Sequence, residues 1–228
     1  MPSLNQFAYV AGTNNYKFGH NSIPNIPITN APNDTNFERW AMLQDGSAYR
    51  LYFFKGSTNN IIYQFAFNGS SYEFGHNSIP ELTLIDAPED ADASSLAMLY
   101  DGSDYRLYLR QLGESNQLYQ FAWVAGSSTY KWGHNSIPKI PVTGFPDNAD
   151  RNRWAMLHDG SAYRYYVMEL GNNNKLLQGS FNGATNSYEY AFNSIPELNL
   201  VDTPSDSDLS QAGMLHDGRD YRFYFFKK

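Results

Sequence analysis

Apolar and polar residues alternate along short runs of this chain, and the runs return in the same order four times. In one of them Tyr49, Leu51 and Phe53 alternate with Arg50, Tyr52 and Phe54. Period-two patterning with aromatic enrichment marks a β-strand, because successive side chains point to opposite faces. The pattern predicts strands over 40–44, 48–55, 61–67 and 71–76, with Asp45-Gly46 and Asn68-Gly69 as tight turns. Residues 77–95 read as a long proline-containing loop before the next unit. No window long enough for a three-turn helix carries a helical stripe.

The repetition is regular. Met-Leu-x-Asp-Gly-x-x-Tyr-Arg-x-Tyr has its aspartates at Asp45, Asp101, Asp159 and Asp217, in steps of 56, 58 and 58. Gly-His-Asn-Ser-Ile-Pro occupies 19–24, 75–80 and 133–138, and the fourth copy, 191–196, reads Ala-Phe-Asn-Ser-Ile-Pro. The chain begins with the third and fourth strands of a unit and stops with the first and second. Ring closure removes the open sheet edges that such halves leave. The expectation is an all-β, four-bladed β-propeller with four antiparallel strands per blade, a single domain over 1–228 whose last blade is closed by both termini. The first and third copies share one dialect and the second and fourth another, so ligand sites are expected as two plus two.

Asp-Gly, then Tyr49 to Gly56, then an aromatic third strand resembles the hemopexin repeat. That resemblance implies a four-bladed propeller in a family that includes heme carriers, protease accessory domains and plant albumins. It also implies an ion in the central channel. Two departures stand out: the closing cysteines are missing, and the inner strand reads x-Ala-Met-Leu.

Composition narrows the function. The chain has 16% aromatic and 17% charged residues, a formal charge of -7 and a pI near 5.1. An acidic chain without a Lys/Arg run does not suit phosphate backbones, which argues against nucleic acid as a partner. No apolar run approaches a membrane span. With no cysteine, thiolate metal sites and cysteine catalysis are excluded. The opening residues lack a signal peptide's basic and apolar segments, so the expected location is cytoplasmic or reached by leaderless secretion.

Several sets of residues are candidates for chemistry. Arg39-Trp40 and Arg153-Trp154 offer aromatic faces beside guanidinium groups. The loop pairs His20-Asn21, His76-Asn77 and His134-Asn135 would hydrogen-bond sugar hydroxyls, or else satisfy their own loop backbone. Met42, Met98, Met156 and Met214 share one register of the inner strands, as a channel lining or as gap-filling between blades. Beside them, the backbone carbonyls of Ala41, Ala97, Ala155 and Gly213 would hold a structural cation, Ca²⁺ or Na⁺, in the central channel. The spaced pairs Asp34/Asn36, Asp90/Asp92, Asn148/Asp150 and Asp206/Asp208 are cation ligands or turn caps. Arg50, Arg106, Arg164 and Arg222, beside tyrosines, read more readily as cross-strand packing than as ligand contacts. No nucleophile elbow, phosphate loop or metalloprotease helix is present, so no enzyme is expected. The preferred reading is lectin-like carbohydrate binding at repeated sites. The alternatives are a heme, metal or cation carrier using the axial channel, and a protein-interaction scaffold.

Overall fold

A computed structural model describes residues 2–227, with side chains throughout except at 114 and 115. Twenty strands fall into four sets of five. The first set is β4 (Thr35–Gln44), β5 (Tyr49–Lys55), β6 (Ile61–Phe67), β7 (Tyr72–Phe74) and β8 (Glu81–Ile85). The second is β9 (Ala91–Tyr100), β10 (Tyr105–Gln111), β11 (Glu114–Trp123), β12 (Thr129–Trp132) and β13 (Lys139–Thr143). The third is β14 (Ala149–His158), β15 (Tyr163–Glu169), β16 (Asn172–Asn182), β17 (Ser187–Tyr190) and β18 (Glu197–Val201). The fourth joins the two chain ends: β19 (Ser207–His216) and β20 (Tyr221–Lys227) with β1 (Ser3–Val10), β2 (Asn15–Phe18) and β3 (Asn25–Thr29). The β20–β1 pairing is antiparallel, with Gln6 opposite Tyr224.

Within a set the first three strands pair antiparallel in order, and the third divides its partners. Ile61–Tyr63 of β6 face β8, while Phe65–Phe67 face β7. The fifth strand then pairs in parallel with the fourth strand of a neighbouring set: β8 with β12, β13 with β17, β18 with β2 and β3 with β7. The sets are therefore stitched at the rim by hydrogen bonds. At the axis β4 lies against β9 and β19, and β14 lies against the same two, so the inner strands close on one another. The architecture is all-β and propeller-like.

This differs from the expected four antiparallel strands per blade. The stretch read as one long loop contains the fifth strand, whose Leu82 and Leu84 alternate inward. In β3 and β13 the same alternation holds, with Ile26 and Ile28, or Ile140 and Val142, inward and a proline between them; Pro27 and Pro141 cannot donate to a ladder and so disguise the strand. The first strand also starts earlier than expected, because residues between Asn36 and Trp40 form a bulge against β5.

Four apolar clusters fill the seams between sets. Each pairs a methionine of one inner strand with the small residue and leucine of its neighbour: Met98 with Ala41 and Leu43, Met156 with Ala97 and Leu99, Met214 with Ala155 and Leu157. At the fourth seam Trp40 is added to Met42, and the small residue is Gly213. A Cβ on Gly213 would lie 2.3 Å from the Trp40 ring and 2.9 Å from Met42 Cγ. The methionine register thus packs the seams, and Met98 and Met214 also reach the axis.

A buried tyrosine pair also crosses each seam: Tyr52 with Tyr130, Tyr108 with Tyr188, Tyr166 with Tyr16, and Tyr224 with Tyr72. Burial raises all eight phenol pKa values above the ordinary 10.

Two outcomes follow from the seams. Gly213→Ala is expected to cost about 1–3 kcal/mol by overpacking, read as a shift in the urea midpoint; an unchanged midpoint would contradict the close approach. Because the seam phenols have raised folded-state values, the stability they contribute is complete below pH 10 and drains as pH rises from there. In an absorbance titration the eight should ionise together with unfolding, and their ionisation in a still-folded chain would refute this.

Candidate functional site

The site grows out of the Asp-Gly turns. Gly46 takes φ of +84°, a left-handed conformation that glycine adopts at little cost. Asp45 Oδ1 accepts from the N–H groups of Ser47 at 2.9 Å and Ala48 at 2.7 Å, and from the Ser47 hydroxyl. Its Oδ2 accepts from Arg50 Nε at 2.7 Å and from the hydroxyl of Tyr105 in the next repeat at 3.3 Å. The other turns repeat this: Asp101 with Arg106 and Tyr163, Asp159 with Arg164 and Tyr221, Asp217 with Arg222 and Tyr49. Burial alone would raise these carboxyls. The turn donors and the arginine outweigh it, and all four lie below the ordinary carboxylate range.

Each arginine, held through Nε, donates from Nη1 to a loop carbonyl: Asn77 for Arg50, Asn135 for Arg106, Asn193 for Arg164 and Asn21 for Arg222. Those four asparagines have φ of 42° to 44°, a left-handed turn that asparagine tolerates better than most residues. The Asn-Ser-Ile loop and the arginine thereby fix each other.

The result is four corresponding clefts, one per seam, of about 460, 310, 330 and 260 Å³ for the Arg50, Arg106, Arg164 and Arg222 positions. One wall of the Arg50 cleft carries Arg50, Tyr52, Gln64 and the loop 77–79. The other comes from the next repeat: Tyr105, Trp123 and Tyr130. At the position of Trp123 the other clefts place Phe181, Tyr9 and Phe67, so one aromatic face varies around a constant polar frame. Behind that frame Gln64 Nε2 donates to the Tyr52 hydroxyl and Gln120 Nε2 to Tyr108. Among the described residues, no aspartate, glutamate or histidine lines the four clefts.

The sequence candidates are placed as follows. Asn21, Asn77 and Asn135 line clefts. His20, His76 and His134 sit just outside, each 3.3–3.4 Å from the neighbouring asparagine amide. Trp40 and Trp154 are buried in seams at 2% and 3% exposure, so their faces are not open to a ligand, and Trp154 Nε1 donates to Ser95 Oγ. Arg39 donates to the carbonyls of Gly56, Thr58 and Ala93, and Arg153 binds Asp150, Asn173 and the Glu169 carbonyl. Both clamp loops. Asn36, Asp92, Asp150 and Asp208 each accept from an N–H two residues on, as turn caps do.

Along the axis, a cavity of about 10 Å³ lies between Leu43, Met98, Leu157 and Met214 at the turn end. It is near the smallest volume that holds a water molecule, and a heme does not fit. Ala41, Ala97, Ala155 and Gly213 do not line it; Gly213 faces Trp40 and Met42 instead. Among the described residues no group of three or more His, Cys, Asp or Glu is disposed to hold a metal. Among the described residues no helix is long and apolar enough to cross a membrane.

No protein-family model matches the chain, and no curated protein does. Among solved structures it is similar to SapL1 lectin in complex with alpha methyl fucoside: 13% identity, 84% of this chain, 56% of that one, TM-score 0.39. A lectin of Aleuria aurantia, described as a six-bladed β-propeller with a novel fucose recognition mode, gives 15% identity over 82% of this chain and 53% of that one, TM-score 0.36. AofleA from Arthrobotrys oligospora gives 13% over 82% and 49%, TM-score 0.35. The chain spans about half the length of these structures. The hemopexin resemblance is corrected here: no family model supports it, and the similar structures are lectins. Its short turn motif belongs instead to a five-strand repeat with parallel seams.

The four turn carboxyls are held below their ordinary value, so the stability they contribute is complete above about pH 4 and lost as pH falls through the folded values. Asp159→Asn is expected to cost about 1–3 kcal/mol at pH 7 and to flatten the acid limb of a urea-midpoint profile between pH 7 and pH 2. An acid limb as steep as the parent's would contradict the clamp.

Proposed function

We propose that this chain is a lectin-like carbohydrate-binding protein without catalytic activity, taking sugars in its four seam clefts. One observation carries the reading: a flat aromatic side chain faces an arginine–glutamine–asparagine wall, four times over, in clefts of sugar size. The apolar face of a pyranose stacks on the aromatic ring, while its hydroxyls exchange hydrogen bonds with guanidinium and amide groups. Individual sites of this openness bind weakly, and several on one rigid ring gain avidity toward a glycoconjugate.

The finer architecture goes with this reading. We take residues 1–228 as one domain and each repeat as one blade, giving four blades, supported by the four sets of five strands and the four mutually contacting inner strands.

The test is a glycan array followed by calorimetry of the sugars that bind. Trp123→Ala should weaken the Arg50 cleft about fivefold to tenfold, as loss of one aromatic contact does, read on chain shown to be folded because Trp123 also packs edge-on against Tyr130. Silence across the array, or binding indifferent to both Trp123→Ala and Arg50→Ala, would overturn the proposal.

A further inference from the structure

The four clefts are not equal, and the difference falls in a strict two-plus-two pattern. In the Arg106 cleft, Nη2 of Arg106 donates to Asp104 Oδ2 at 3.1 Å; in the Arg222 cleft, Nη2 of Arg222 donates to Asp220 Oδ2 at 2.9 Å. The corresponding residues in the other two repeats are Ala48 and Ala162. Among the described residues, Nη2 of Arg50 and of Arg164 has no hydrogen-bond partner.

A second, independent difference selects the same two clefts. Gln120 Oε1 accepts from the Ile137 N–H and Gln6 Oε1 from the Ile23 N–H, both at 3.0 Å. Gln64 and Gln178 receive no such bond from Ile79 and Ile195; there Ser78 and Ser194 donate to the glutamine backbone carbonyls instead. The Arg50 and Arg164 clefts each keep one guanidinium donor and one amide acceptor for a ligand. They are also the two largest, at about 460 and 330 Å³.

The protein itself shows what the free guanidinium edge accepts. In two of the four copies a carboxylate of its own chain occupies that edge. Where alanine replaces the aspartate, the carboxylate and its volume are both missing, and the arginine is left with one carboxylate partner where its counterparts have two. A charge-assisted N–H to carboxylate bond is about twice as strong as a neutral one.

We infer that the Arg50 and Arg164 clefts form a matched pair selecting sugars that bear a carboxylate, such as a uronate or a sialic-acid-type residue, while in the other two clefts Asp104 and Asp220, from outside the lining, already occupy the arginine Nη2 that such a sugar would need. The inference rests on the sugar-binding reading above and names its ligand class.

The experiment is calorimetry on the whole chain with carboxylated methyl glycosides (glucuronide, galacturonide, N-acetylneuraminide) and their carboxyl-reduced counterparts. The best acidic sugar is expected to bind two sites per chain, about tenfold or more tighter than its reduced partner, and more weakly as salt is raised. Ala48→Asp with Ala162→Asp should abolish the acidic-sugar sites. Asp104→Ala with Asp220→Ala should raise their number from two to four, and both side chains are 38% exposed, so their loss spares the core. Equal binding of each acid and its reduced partner, or a count that stays at two in the Asp104/Asp220 variant, would overturn the inference and leave sugar binding standing. No binding by any sugar of either kind would remove both.

Discussion

The buried carboxylate of each Asp-Gly turn is the constraint on which the rest depends. Its Oδ1 closes the turn between the two innermost strands of a repeat, and its Oδ2 orders an arginine and a tyrosine from the next repeat. Turn, cleft and seam are thus satisfied by one group. Leaving such a group half-satisfied in the interior would be costly, because each unmet partner forfeits its full desolvation. The arrangement explains why the strongest motif in the sequence is also where the site begins. The residues that look like scaffold, Asp45 and Gly46, aim the residue that looks like cross-strand packing, Arg50.

Much of the fold was legible because it was written four times. The Asp-Gly register, the antiparallel hairpins and the joining of β1 to β20 follow from period and alternation. The fifth strand was hidden because it is only five residues long inside a proline-containing connection, and in two copies it carries a proline itself, Pro27 or Pro141. The site was less legible. Trp40 and Trp154 beside arginines resembled exposed stacking platforms, yet an inner strand is covered on both faces, and Trp40 to Leu43 are buried without interruption. The clefts escaped notice for a different reason: each joins Arg50 and Gln64 to Tyr105 and Trp123 across a seam, and alternation within one repeat carries no information about its neighbour. The signal that was present lay in the contrast between Ala48 and Asp104 within otherwise matching turns.

The seams also account for the unusual weight of tyrosine. A phenol offers an apolar body to the core and a hydroxyl to its partner. The pairs Tyr52–Tyr130 and Tyr108–Tyr188 use both ends, lying under the clefts while bonded to Gln64 and Gln120. Seam packing and cleft shape therefore draw on the same side chains.

Because every cleft is shared between neighbouring repeats, sites are counted by junctions rather than by units. An open row of four repeats has three junctions, and the pairing of β20 with β1 supplies the fourth. The cleft it creates draws Arg222 and Tyr224 from one end of the chain and Gln6 and Asn21 from the other. Sealing the circle therefore does more than protect two strand edges: it completes a fourth cleft, one that exists only when the two chain ends are joined.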